Sequence, residues 1–176
     1  DYRLRYEKND NLKITQAVAA YLADKENIQV IMTRSDDTFL SLEERTSFAN
    51  QNNADYFVSL HRNTGEGNGV ETWIRSDADD KTQALAKNIM DNLDAAGISR
   101  NRGVKKGTQK SESKDYYVNL HTNMPACIVE LGFMNSPTDN QLFDANVENY
   151  AKAIGDAVLK TYEAYGKDGA DATESV

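Results

Sequence analysis

Hydrophobic positions along this chain switch repeatedly between helical and strand periodicity, and the switches divide it into alternating elements. In residues 9–25, Ile14, Ala17, Val18, Tyr21 and Leu22 have the spacing of a one-sided helix, with Asn9 or Asp10 placed as N-cap. Residues 28–32 are a short β-branched run that reads as a strand, closed by a polar turn at 33–37. Residues 41–52 open with the capping-box pair Ser41 and Glu44 and set Leu42, Arg45, Phe48 and Ala49 on one face, so a second helix is expected. Strands are expected at 56–60 and 70–74, separated by a glycine-rich loop at 65–69. A longer helix over 78–96 turns Leu85, Ile89, Met90 and Leu93 inward, and Gly97 is placed to stop it. Residues 99–114 are polar, basic and nearly free of apolar side chains, the pattern of a surface loop that could border a site. Residues 126–129 read as a buried strand carrying Glu130 at its tip. The last helix covers 147–165, with Val147, Ala151, Ile154, Val158 and Tyr162 inward, and the tail 167–176 is expected to be disordered.

Strands alternating with helices imply an α/β fold: a single domain over residues 1–166, with a twisted, mostly parallel sheet covered by helices on both faces. The 176 residues suffice for one substantial core and not for two. A net charge of −8, with Lys and Arg scattered among the acids, argues against nucleic acid and against an anionic membrane surface as partner. No apolar run approaches the roughly 20 residues of a membrane span, so no membrane insertion is expected. The one cysteine, Cys127, cannot form an internal disulfide and reads as a small core residue. A monomer is the expected state.

Functional groups of such sheets gather beyond the carboxyl ends of strands, where this sequence places His61 and Glu130. An ionised Glu at the end of an apolar run is costly without compensation, so Glu130 calls for an explanation. Glu7, just ahead of the first helix, adds a second carboxylate. Zinc takes His nitrogen and carboxylate oxygen, and a hydrolytic zinc site also needs a free carboxylate to move protons. Glu7 and His61 are candidate ligands, leaving Glu130 for the proton. Each has a plainer alternative: His61 as a structural or surface histidine, Glu7 as a solvated residue near a helix start. His121, the other histidine, sits in a polar stretch and reads as a surface residue, and Trp73 alternates with core positions and reads as packing.

Seven segments carry a resemblance. They are Glu7-Lys8-x-x-Asn11-Leu12-x-Ile14, Thr33-Arg34-x-Asp36, Leu40-Ser41-Leu42-x-x-Arg45, Ala49-Asn50, Ala54-Asp55-x-Phe57-Val58-Ser59-Leu60-His61-x-Asn63, Gly69-Val70-Glu71-Thr72 and Pro125-Ala126-x-Ile128-Val129-Glu130-Leu131-Gly132-Phe133-x-Asn135. In this order they resemble the zinc-dependent N-acetylmuramoyl-L-alanine amidases of the third amidase type, bacterial cell-wall hydrolases and autolysins. The resemblance runs from Glu7 to about Tyr165. It implies zinc as cofactor, Glu7 and His61 as ligands, Glu130 as the catalytic carboxylate, and Asn63 and Arg45 as supports of the site. It also implies peptidoglycan as the partner, an extracytoplasmic location, and hydrolysis of the amide between N-acetylmuramic acid and the L-alanine of the stem peptide. That family opens with a strand ending in Asp-x-Gly-His-Gly-Gly, whose His is a further ligand. Neither His61 nor His121 takes its place by position, and the expectation is that residues carrying it lie outside the 176 given. Two other readings share these features: a non-catalytic wall-binding or regulatory domain with an incomplete metal site, and a zinc peptidase acting on the stem peptide.

Overall fold

The computed structural model describes residues 5–166, so the expected disordered tail lies outside the described residues. The order of elements is α1 (Glu7–Ala23), α2 (Leu42–Gln51), β1 (Phe57–Asn63), β2 (Val70–Ile74), α3 (Asp80–Ala95), β3 (Asn101–Lys106), α4 (Tyr117–His121), β4 (Ala126–Phe133) and α5 (Pro137–Tyr165). The four strands make one mixed sheet ordered β1-β4-β2-β3. The β1–β4 and β2–β3 pairs run parallel and β2–β4 antiparallel, so the sheet is mostly parallel, as expected.

Alternation along the strands separates two faces. Leu60, Val70, Ile74, Cys127, Val129 and Leu131 join Leu85, Ile89 and Leu93 of α3, Phe143 and Ile154 of α5 and Ile14 of α1 in the main core. The opposite face carries a smaller cluster of Trp73, Val118 and Ile128, packed with Phe57 and Tyr116 under the short helix α4. Toward the carboxyl ends of β1 and β4 this second face bears His61 and Glu130 in place of apolar side chains.

Several boundaries differ from the sequence reading. Helix α1 starts at Glu7 with Tyr6 at the N-cap position and no side-chain cap. The candidate cap Asp10 is instead buried in the first turn, where it accepts hydrogen bonds from Arg5 and Arg62 at 2.6 Å each. The strand expected at 28–32 is not assigned as one, because no described strand lies beside it to form a ladder. The expected loop at 99–114 contains β3, an edge strand whose only partner among the described residues is β2. An exposed edge with one apolar residue, Val104, leaves no hydrophobic alternation to read. The final helix begins ten residues earlier than expected, at Pro137, and kinks at Asn146 (φ −126, ψ 19), so the reading over 147–165 captured the part beyond the kink. β4 continues past Glu130 to Phe133, which puts Glu130 within a strand and not at its tip. The capping box at Ser41 and Glu44 is present with both of its hydrogen bonds.

The strongest polar anchor is Arg62, whose side chain is fully buried. Its Nη1 donates to Asp10 at 2.6 Å, Nη2 to Asn140 at 2.6 Å and Nε to the Gly132 carbonyl at 3.4 Å, and its guanidinium lies 4.5 Å from the Phe143 ring centroid. One side chain thus ties β1 to α1, β4 and α5. Removing it leaves Asp10 with Arg5 as its remaining cation and takes the donors from buried Asn140 and the Gly132 carbonyl, so Arg62→Ala is expected to lower the unfolding free energy by about 2–4 kcal/mol. Lys87→Ala, at an exposed i,i+4 pair with Asp91, should change it by less than about 0.5 kcal/mol. Urea unfolding followed by circular dichroism compares the two, and equal effects would contradict this assignment.

Candidate active site

Strand register builds the site. His61 of β1 and Glu71 of β2 both pair with Glu130 of β4, the first in parallel and the second in antiparallel register. Paired residues on neighbouring strands project from the same face, so the three side chains form a row across the sheet. Arg102 of β3 extends the row by donating from Nε to Glu71 Oε2 at 2.6 Å. At the other end α1 brings Glu7 to the free edge of β1, where Glu7 Oε1 lies 2.9 Å from His61 Nδ1 and accepts the Arg62 backbone N–H at 3.4 Å.

The Glu7–His61 contact has a definite chemical setting. Asn11, one helical turn after Glu7, directs Nδ2 at Glu7 Oε1 (3.1 Å) and at His61 Nδ1 (3.3 Å), and Ser59 Oγ lies 2.9 Å from His61 Nε2. With Nε2–H donated to Ser59, His61 Nδ1 is an acceptor facing another acceptor, Glu7 Oε1. Two lone-pair donors converging in this way suit a cation, and a partner on the remote ring nitrogen is the usual support of a metal-binding histidine. When Nδ1 carries the proton instead, His61 donates to Glu7, and this bond together with that from Asn11 outweighs burial and holds the Glu7 carboxyl below the ordinary glutamate range. Among the described residues no group of three His, Cys, Asp or Glu side chains is gathered to hold a metal ion. Glu7 and His61 could supply two donors of a site that takes three protein ligands.

Glu130 has the opposite environment. Its Oε2 is buried without a hydrogen-bond partner among the described residues. Burial is the largest cause pushing its carboxyl up to about 7, with the charges of Glu7 and Glu71 adding and His61 opposing. Glu71, though only 2 % exposed, is saturated with donors: Asn63 Nδ2 and Trp73 Nε1 at 3.1 Å each on Oε1, and Arg102 on Oε2. Neighbouring carboxyl groups thereby differ: Glu71 has hydrogen-bond donors on both oxygens, and Glu130 titrates near neutrality.

Beyond Glu130, Gly132 adopts φ +86, and a Cβ there would sit 2.8 Å from Asp139 Cβ. The left-handed turn accompanies a register shift that pairs Phe133 with Asn63. Asn63 is buried and accepts the Thr64 N–H at 2.9 Å, beside the row. Arg45 stands apart from it, donating from Nε to the Leu40 carbonyl at 3.0 Å. Arg45, Glu7 and His61 line one groove of about 620 Å³ that runs along the free edge of β1. His121 is exposed and lies tilted against the Tyr117 ring, with centroids 4.0 Å apart. Glu71, Arg102 and Asn11 carried no assigned role in the sequence reading. The faint signals for them were Glu71 next to the apolar Val70 in a strand, and Asn11 one turn from Glu7.

Comparisons with known proteins bear on this arrangement. Residues 3–160 match the family model described as N-acetylmuramoyl-L-alanine amidase. The uncharacterized protein YqiI of Bacillus subtilis (strain 168) is 34% identical over 163 residues, covering 91% of this chain and 74% of its own length. The sporulation-specific N-acetylmuramoyl-L-alanine amidase of the same organism is 31% identical over 134 residues, 76% of this chain and 50% of that protein. The chain therefore spans about three quarters of the first relative and half of the second. The crystal structure of N-acetylmuramoyl-L-alanine amidase from Clostridium difficile 630 superposes with a TM-score of 0.84 at 32% identity, covering 92% of this chain and 87% of that chain.

The raised carboxyl of Glu130 gives stability a pH dependence of definite sign. A carboxyl held at about 7 in the folded chain, against 4.5 as its ordinary value, contributes fully below pH 4.5, and that contribution is lost as pH rises through 7. Glu130→Gln lacks this loss. Its stability relative to the parent protein is expected to rise by roughly 2–3 kcal/mol between pH 4.5 and 8 in metal-free protein. Urea unfolding at several pH values measures it, and a flat difference would contradict the assignment.

Proposed function

This chain belongs to the N-acetylmuramoyl-L-alanine amidase family, and we propose that it is the catalytic domain of a zinc-dependent peptidoglycan hydrolase. The bond it cleaves is the amide between N-acetylmuramic acid and the L-alanine of the stem peptide. The observation that carries this reading is the division of labour in the row. One carboxylate is paired with a histidine at the sheet edge, and the next is half-buried, with one oxygen buried and unpaired, and poised near neutral pH.

Glu7 Oε1 and His61 Nδ1 would hold the zinc, with Asn11 and Ser59 fixing their orientation. Zinc, when bound, polarises the scissile carbonyl and makes water more acidic. Glu130 takes the proton from the attacking water and delivers it to the departing alanine amine. A carboxyl titrating at about 7 has both forms populated at neutral pH, as a group acting first as base and then as acid requires. Asn63, held by Glu71, forms the wall beyond Glu130, and Arg45 supports the loop at Leu40. The substrate places the protein's work at the cell wall, outside the cytoplasm. Among the described residues no helix is long and apolar enough to cross a membrane.

Glu130→Gln is expected to lower wall hydrolysis by about 10²–10⁴-fold while the fold is kept. Labelling of new amino termini after digestion of purified peptidoglycan identifies the bond. Free L-alanine amino groups support the amidase, and a residue within the stem would make the protein a peptidase. Wall binding with no new amino termini would make it a binding domain.

A further inference from the structure

Two buried carboxyl groups of this fold meet arginines from the sheet, Asp10 with Arg62 beside Arg5 and Glu71 with Arg102, and the two sheet arginines are used differently. Arg62, at the back of the sheet, spends all three guanidinium nitrogens on protein acceptors and is fully buried. Arg102 spends Nε on Glu71, its Nη1 reaches only the Asn68 carbonyl at 3.5 Å, and its Nη2 has no protein acceptor among the described residues. Its side chain is 29% exposed against 3% for Glu71. The guanidinium lies 5.1 Å from the centroid of Phe133, the ring carried past Glu130 by the turn at Gly132. Glu71 and Phe133 thus orient Arg102, and one edge of its donor fork stays open on the face that bears Glu130.

Resting on the hydrolase reading, we propose that Arg102 recognises a carboxylate on the peptide arm of the substrate, and that Glu71 is the positioning residue that holds it for this. Glu7, Glu130 and Glu71 give the row three carboxyl groups, on a chain whose net charge is −8. An anionic peptide arm entering beside them is repelled unless a cation meets it. Arg102 is the permanent cation hydrogen-bonded into the row, and its open fork suits the two oxygens of a carboxylate. Its strand lies two strand spacings from Glu130, roughly 10 Å. An extended peptide advances roughly 3.3–3.6 Å per residue, so the recognised carboxylate falls on the second or third residue after the cleaved amide.

The test compares two muramoyl peptides that differ only in whether the carboxylates on the second and third residues of the arm are free or amidated. The readout is the ratio of their kcat/KM values, which cancels the fraction of active enzyme in each preparation. The parent protein is expected to favour the free acid by roughly 10–100-fold, the worth of one charge-assisted contact. Arg102→Gln brings the ratio near one, chiefly through KM for the acid, and Arg102→Lys recovers part of it. Glu71→Gln, which keeps an acceptor for Asn63 and Trp73 but loses the anion facing Arg102, also lowers the ratio. A parent protein that cleaves both peptides equally overturns the inference and leaves the hydrolase reading standing. Variants that lose activity equally on both peptides overturn it too, because Arg102 would then be structural. Cleavage of neither peptide by the parent protein overturns the hydrolase reading and this inference with it.

Discussion

The ion pair between Arg62 and Asp10 is the contact on which the end of the sheet depends. Arg62 points into the main core while its neighbours His61 and Asn63 point to the other face, so anchoring Arg62 fixes both faces of β1 together. Asp10 lies one helical turn after Glu7 on α1, and the pair sets the helix at the height where Glu7 reaches His61. A buried arginine is expensive to desolvate. Here Asp10, Asn140, the Gly132 carbonyl and the face of Phe143 offset that cost. The same guanidinium reaches the backbone just past Glu130, so the two strands of the site share one anchor.

From that frame the chemistry follows by environment and not by residue type. Three glutamates take part, and each behaves differently. Glu7, at the edge, is held ionised by His61 and Asn11. Glu71, deep in the sheet, accepts from three donors. Glu130 lies between them with a partnerless oxygen and two negative neighbours, and becomes the one that exchanges a proton near neutrality. Helix α1 places Glu7, whereas strand pairing places Glu130 and Glu71, and the antiparallel β2–β4 pair of the mixed sheet brings Glu71 opposite Glu130.

Much of the architecture was readable in the chain. Periodicity located α1, α2, α3, β1 and β2 to within a few residues, and Ser41 with Glu44 marked the start of α2 through a local hydrogen-bond pair that needs no tertiary context. What escaped is long-range. β3 is stabilised by its pairing with β2 and carries little apolar pattern of its own, and α4 is too short to show a period. The run at 28–32 has strand chemistry, but a ladder needs a neighbour and none lies beside it among the described residues. In the site, Glu130 stood out because a carboxylate within an apolar run defies the local pattern. Arg62, Arg102 and Asn11 look like ordinary polar residues until folding brings Asp10, Glu71 and His61 to them.

The proposed separation of roles at this end of the sheet has Glu7 and His61 holding metal and Glu130 moving the proton. Competition titration of zinc against a chromophoric chelator, on the parent protein and on Glu7→Ala, His61→Ala and Glu130→Gln, tests it most directly. One zinc per chain is expected, with affinity at least about 10-fold weaker on loss of either ligand and near-parent affinity in Glu130→Gln. Zinc binding that is indifferent to Glu7 and His61, or that collapses with Glu130→Gln, would contradict it.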